Sequence, residues 1–232
     1  PAAPMQALLP PLGLSVMTFQ AVSYTVDSHR RQVPSAHWRH FGVYMSFFPR
    51  LLAGPIARPG EFLPQAAARP RVTSTDVWEA LVLIVFGLFK KLVIADNLAL
   101  VVDPVFADLH TSGARILLAT YAFAVQIYCD FAGYTDMALG IARLFGYKLP
   151  ENFNWPYLSK NPADFWRRWH ISLSSWLRDY LYISLGGSRK GELKTYRNLM
   201  LTMILGGLWH GAAWNFVLWG AYHGGIQVVH KF

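Results

Sequence analysis

The chain has 232 residues and a formal net charge of +8, with 53% hydrophobic, 15% aromatic and 15% charged residues. Soluble domains carry about 25% charged residues, so an ordinary solvated globule is the wrong template, and the single Cys129 excludes a disulfide framework and a cysteine-based zinc site. The basic residues fall in short groups between apolar runs, at His29-Arg30-Arg31, 69–71, Lys90-Lys91 and 189–197, a pattern of membrane loops and lipid headgroups rather than of nucleic-acid binding.

The chain opens at Pro1 without an initiator Met or a three-part signal peptide, and closes on Lys231-Phe232 straight after an apolar run. Both ends read as cut. The expectation is a single membrane domain over 1–232, the central part of a longer protein. Nine Trp and fifteen Phe suit a membrane interface. Mean hydropathy is only +0.26, so some helices must line a polar cavity or lie in the interface.

Residues 5–26 are uncharged and stop at Asp27. They suit a span, with Pro10-Pro11 at its start, where a missing N–H does least harm. Thr18, Gln20, Ser23 and Tyr24 give it a face for protein or water. Residues 29–40 read as a basic loop. Residues 41–57 are apolar but interrupted by Pro49, Arg50, Gly54 and Pro55, which predicts a re-entrant or interfacial segment. Residues 58–75 read as a Pro- and Arg-rich loop, with Ser74 or Thr75 capping a helix that starts near Asp76.

Residues 77–95 predict a helix whose Lys90-Lys91 reach toward headgroups. Residues 114–145 predict the next long helix, with Gln126, Asp130, Tyr134, Thr135 and Asp136 inside apolar sequence. Asp130 and Asp136 should face the protein interior and pair with arginine or hydroxyl groups, a structural role first and a substrate-binding role second.

Residues 149–160 read as an irregular linker. Asn161-Pro162-Ala163-Asp164 then starts a helix: a capping Asn, a proline in first place and an acid in the first turn. At 100° per residue, 162–182 forms one amphipathic helix lying at the membrane surface. Phe165, Trp166, Trp169, Leu173, Trp176, Leu177 and Tyr180 share one face; Asp164, Arg167, Arg168, Ser175, Arg178 and Asp179 share the other. His170 falls at the boundary, on the apolar side. Residues 185–197 form a Gly-rich basic loop that lacks P-loop spacing.

No Asp, Glu, Lys or Arg occurs from 198 to 229. If 198–209 is helical, His210 lies ~20 Å from the charged flank at 1.5 Å per residue. That depth is near the middle of a ~30 Å hydrocarbon core. An ionisable group there marks a functional site unless it is a neutral histidine bonded to a neighbouring helix. Gly206-Gly207 and Gly211 permit a break around His210. The spacings Gly207-x3-Gly211 and Gly220-x3-Gly224 let membrane helices approach closely.

His37-x2-His40 and the pair His223 and His230 lack further ligands, and neither an HExxH nor a facial triad is present, so no metal is expected. No GxSxG elbow occurs either. What remains is His210 as a general base that takes a proton from a hydroxyl attacking an acyl carbonyl. Burial disfavours the charged imidazolium and keeps the ring able to accept.

Five stretches resemble one family: MTFQAVSYTVD at 17–27, FFPRLLAGPIARP at 47–59, YCDFAGYTDMALGIARLFGYKLPENFNWPY at 128–157, FWRRWHISLSSWLRDYLYISLGG at 165–187 and NLMLTMILGGLWHGAAWNFVLWGAYHG at 198–224. The chain resembles the membrane-bound O-acyltransferases, in the bacterial branch of alginate O-acetylation and teichoic acid D-alanyl transfer. The resemblance implies an all-α integral membrane protein, a multi-helix ring around a central funnel with broken, re-entrant and interfacial amphipathic helices. It implies His210, in the Leu-Trp-His-Gly step, as catalytic, and His170, in the Arg-Arg-Trp-His step, as a second site residue. The family usually has proline where this chain has Ser184. The implied activity moves an acetyl group from a cytosolic donor such as acetyl-CoA, a co-substrate and not a bound cofactor, to hydroxyls of an exported polysaccharide. The implied partners are membrane lipids, periplasmic acetylation proteins and the polysaccharide, at a multi-pass site in a bacterial inner membrane. Trp209, Trp214 and Asn215 are candidate pocket walls. Arg167 and Arg168 face headgroups, solvent or an anionic substrate. D-alanyl or fatty-acyl transfer is the alternative chemistry; a transporter with His210 as proton relay, or a scaffold, is the alternative class.

Overall fold

A computed structural model describes residues 13–68, 70–108 and 110–231. The chain folds as two compact units that divide between Pro150 and Glu151. The regular elements among the described residues are helical. Residues 5–12 of the expected first span, Arg69 of the basic group and Phe232 lie outside them.

In the first unit, α1 spans Leu14–His29 and continues past Asp27, where the expected span stopped. Its buried stripe is Val16, Gln20, Ser23 and Asp27, while Thr18 is exposed. The expected polar face therefore exists, and it points into the protein. The interrupted segment that follows is broken as its prolines require: α2 spans Trp38–Ser46, and a single 3₁₀ turn covers Phe48–Arg50. The expected loop at 58–75 is instead mostly helix α3, Pro59–Ala68. Pro59 sits in the first turn, where no intrahelical N–H partner exists to lose. Burial of Phe62, Leu63 and Ala66 offsets the bond that Pro64 removes. Gln65 then ties α3 down, since its side-chain amide accepts from the Lys148 N–H at 2.8 Å and donates to the Lys148 carbonyl at 3.1 Å. Tyr44, Phe47, Phe62 and Tyr147 form the aromatic core here, with Phe62 stacked on Tyr147 at 4.9 Å.

Helix α4 spans Ser74–Leu88 and starts earlier than expected. Its cap is Thr73, not Ser74 or Thr75, because Asp76 at the third helical position closes a reciprocal pair: Thr73 Oγ1 accepts from the Asp76 N–H, and Asp76 accepts from the Thr73 N–H at 2.9 Å. The Thr73 hydroxyl, which donates to Asp76 Oδ2 at 2.6 Å, and then the Thr73 N–H hold the Asp76 carboxyl below the usual carboxylate range. Thr73→Ala is expected to lower stability by about 1 kcal/mol, read from thermal melting of the purified protein.

The helical run does not stop at 95. A π-helical segment, Phe89–Ala95, leads into α5, Asp96–Ala107. Helix α6, Gly113–Leu144, lies within one residue of its predicted bounds and is capped by Ser112. It packs antiparallel to α4 through small residues. A Cβ on Gly140 would lie 2.6 Å from the Ala80 carbonyl oxygen, and one on Gly87 2.6 Å from that of Gly133. This close approach brings charges together. Lys90 pairs with Asp136 at 2.5 Å, Lys91 with both Asp130 and Asp96 at 2.7 Å, and Arg143 with Glu79. Asp130 and Asp136 thus pair with lysines, not with the expected arginine or hydroxyl groups, and Lys90-Lys91 turn to α6 instead of reaching outward. Among the described residues, α6 is the helix long and apolar enough to cross a membrane. Its Leu118 is 70% exposed and its Tyr121 69% exposed, so α6 carries a large uncovered apolar surface.

In the second unit the expected single helix at 162–182 is broken. A 3₁₀ turn, Pro156–Leu158, precedes α7, Pro162–Arg168; α8 spans Ile171–Trp176 and a π-helical turn covers Leu177–Tyr182. Helix α9, Glu192–His210, begins inside the expected basic loop, and α10 spans Trp214–Lys231.

Candidate functional site

The site is built on two chain breaks, both beside Trp209. The first is at His170. Trp169 leaves the helix to form a β-bridge with Phe153, and the Asn154 N–H bonds to the Arg168 carbonyl at 2.9 Å. Asn152, fully buried, then restarts the helix. Its carbonyl accepts from the Ile171 N–H at 2.9 Å; its Oδ1 accepts from the Ser172 N–H at 3.2 Å and from Ser172 Oγ at 2.6 Å. One asparagine therefore supplies the N-terminal partners that α8 lacks. Between the two helices His170 adopts a left-handed backbone, φ +43°, and is 8% exposed. That conformation costs a non-glycine residue about 1–2 kcal/mol, so the surrounding hydrogen bonds hold it in place.

The second break is at His210, the last residue of α9. The Gly211 N–H closes on the Leu208 carbonyl at 3.2 Å, and α10 begins after Ala213. The small residues read from the sequence face one another across this hairpin. A Cβ on Gly207 would lie 2.3 Å from the Phe216 carbonyl oxygen, and one on Gly220 2.5 Å from that of Met203. At the far end the fully buried Asn198 fixes the loop before α9, donating to the carbonyls of Gly187 at 3.0 Å and Leu185 at 3.3 Å.

Aromatic rings flank the His210 imidazole, which stays exposed on its remaining side. Its centroid is 4.8 Å from Trp209, 5.2 Å from Trp219 and 6.1 Å from Phe216. Trp209 is also 6.3 Å from His170, and so neighbours both histidines. Trp219 carries the cluster outward: it lies 4.6 Å from His223, and Trp166 lies 5.3 Å from His223 and 5.6 Å from Trp219. Apolar walls favour a neutral imidazole that accepts a proton. The carbonyl end of α9 favours the positive charge once the proton arrives. The arrangement suits a general base.

The other predicted site residues fall differently. Trp214 is 81% exposed and Asn215 is exposed, while Phe216 and Trp219 supply rings beside His210. Arg168 is tied to Asp164 at 2.9 Å and to the Asn154 carbonyl, and Arg167 is exposed. The Arg168 bond, with the Lys160 N–H, holds the Asp164 carboxyl below the usual range. Asp130 and Asp136 belong to the other unit, in the lysine pairs described above. Phe216, Trp219, His223 and Asn152 were not read from the sequence as site residues. The first three recur at three- and four-residue spacing on α10, a signal visible only once the turn at Gly211 is placed.

A helical membrane protein with two histidines set at helix breaks, His170 buried and His210 exposed, is the class that this fold and site define. The chain belongs to the membrane-bound O-acyltransferase family, whose family model matches residues 12–232. It is 45% identical over 218 residues to the "Probable alginate O-acetylase AlgI" of Azotobacter vinelandii, covering 94% of this chain and 44% of that protein. It is 41% identical to the "Peptidoglycan O-acetyltransferase" of Helicobacter pylori, covering 97% and 48%, and 32% identical to the "Teichoic acid D-alanyltransferase" of Bacillus subtilis, covering 100% and 62%. The chain thus spans less than half the length of the alginate O-acetylase and peptidoglycan O-acetyltransferase relatives.

Proposed function

We propose that the full-length protein is an O-acetyltransferase of a bacterial inner membrane that acetylates hydroxyls of an exported, alginate-like polysaccharide. The observation that carries this reading is the aromatic-walled His210 at the end of α9, in a chain of this family. His210 takes the proton of the acceptor hydroxyl as its oxygen bonds to the acetyl carbonyl carbon. The tetrahedral species then collapses, the donor leaves as a thiolate, and the imidazolium returns the proton to it. The donor is a cytosolic thioester such as acetyl-CoA, a substrate and not a resident cofactor. His170 is a positioning residue that acts through Trp209. Trp209, Trp214 and Asn215 bound the substrate path, and Arg167 is its cation. The protein is multi-pass, a ring of helices around a funnel, with periplasmic acetylation proteins and the polysaccharide as partners. The similarity to a teichoic acid D-alanyltransferase supports the same base acting on an aminoacyl donor as the second reading.

The test uses the full-length protein with His210→Ala or His170→Ala at matched membrane abundance, with O-acetyl groups on the exported polysaccharide read by NMR. His210→Ala is expected to lower acetylation by ~10²–10⁴-fold, the contribution of a positioned acid–base group. Acetylation retained in His210→Ala overturns the assignment and favours a scaffold or transporter.

A further inference from the structure

The glycines of the α9–α10 hairpin are of two kinds. A Cβ on Gly207, Gly220 or Gly224 would come within 2.8 Å of a neighbouring atom, but one on Gly225 would meet nothing within 4 Å. Helix packing does not require glycine at 225, and glycine is a poorer helix former than alanine. What its missing side chain leaves is room. Gly225 lines a groove of about 500 Å³ with Pro162, Tyr222, Ile226, Val229 and His230. The groove is lined almost wholly by apolar atoms and is open to the surface along its length.

The groove ends where this unit is most basic. Because α9 and α10 form an antiparallel hairpin, the start of α9 lies beside the end of α10. Lys231 Nζ donates to Ser188 Oγ at 3.4 Å, and Ser188 Oγ shares a 2.7 Å hydrogen bond with the Tyr182 hydroxyl. Arg189 and Lys190 follow Ser188 directly, and Lys194 lies in the first turn of α9. His230, Lys231, Arg189, Lys190 and Lys194 are all exposed, with Glu192 the one acid between them. The ion pairs described in this unit lie elsewhere, at Arg168–Asp164 and Arg178–Asp179.

We propose that this groove binds an anionic glycerophospholipid, with one acyl chain lying along Gly225 and the phosphate held by Lys231, His230 and Arg189. An apolar slot that ends at exposed cations matches a tail continuous with a phosphate. Free phosphate leaves the slot unfilled. A zwitterionic headgroup brings its own cation against the cluster, and an apolar partner helix has no use for the charge.

The test is native mass spectrometry of the purified full-length protein in a neutral detergent. It is exposed to phosphatidylglycerol or to phosphatidylcholine with the same acyl chains, with and without inorganic phosphate. The expected result is retention of one phosphatidylglycerol in preference to phosphatidylcholine. Gly225→Leu fills the slot and removes retention. Lys231→Gln with Arg189→Gln weakens it roughly 25-fold, at about fivefold for each cation near a headgroup. Both variants are expected to melt as the parent does in lipid-free detergent, so lost retention is not lost folding. Equal retention of the two lipids, or undiminished retention in Gly225→Leu, overturns the proposal. So does displacement of the lipid by millimolar phosphate, or a dimer abolished by Gly225→Leu, which would make the occupant a second copy of the chain.

Discussion

Gly220→Leu is expected to leave no folded full-length protein in the membrane, while Gly225→Leu accumulates as the parent does. At 220 a Cβ would stand 2.5 Å from the Met203 carbonyl oxygen and 2.7 Å from the Ile204 Cα. Overpacking against side chains costs about 1–3 kcal/mol because rotamers can yield. Here the obstacles are backbone atoms of α9, so the two helices must part along their whole length. Gly207 would pull away from Phe216, and Gly224 from Met200. Total stability is only ~5–15 kcal/mol, so such a separation is expected to exceed it. Size-exclusion chromatography of fluorescently tagged protein in mild detergent reads the outcome. A symmetrical Gly220→Leu peak at parental height would mean that α9 and α10 are not packed this closely.

Asp136→Leu is expected to cost about 1–3 kcal/mol, the penalty for stranding one partner of a half-buried ion pair, less than for a fully buried one. Lys90 loses its 2.5 Å partner at the π-helical segment that packs on α6. Replacing both residues, with Lys90→Met added, is expected to recover most of that loss, because a matched apolar pair leaves no uncompensated charge. Thermal melting of the three variants decides it, and a double variant no more stable than Asp136→Leu alone would refute the pairing. The double variant also separates two roles. Normal melting with normal polysaccharide acetylation makes Asp136 structural, and normal melting with lost acetylation makes it a substrate residue.

The elements that could be read from the sequence are those set by local pattern. Helix α6 was legible because its long apolar run at helical period lies within the segment itself, while its cap, Ser112, emerged only from the structure. The end of α9 at His210 was legible because Gly211 follows it directly. Helix α3 was hidden by Pro59 and Pro64, whose local penalty is outweighed by burial of Phe62 and Leu63. The start of α9 was hidden because Glu192, Lys194 and Arg197 look like loop residues in a charge count, although all three are good helix formers.

The break at His170 was illegible for a different reason. A helical wheel assumes that the chain continues, and what interrupts it comes from Phe153 and Asn152, which lie 16 and 20 residues before their partners. Likewise the lysine partners of Asp130 and Asp136 sit on a helix tens of residues away. The histidine pair itself was legible only through the family resemblance. Spacing alone does not show that Trp209 neighbours both His170 and His210.

The π-helical segment Phe89–Ala95 gives the run from α4 to α5 slack in its length. A π turn holds one residue more than the α-helix around it would need, and its wider turn absorbs that residue without changing the faces on either side. Deleting a single residue there lets the segment close as ordinary α-helix, and α5 keeps the face that it offers to α6. The same deletion inside α5 has no wide turn to absorb it, and everything after it turns by about 100°. A deletion that the π segment tolerates thus becomes a rotation one turn further along the chain.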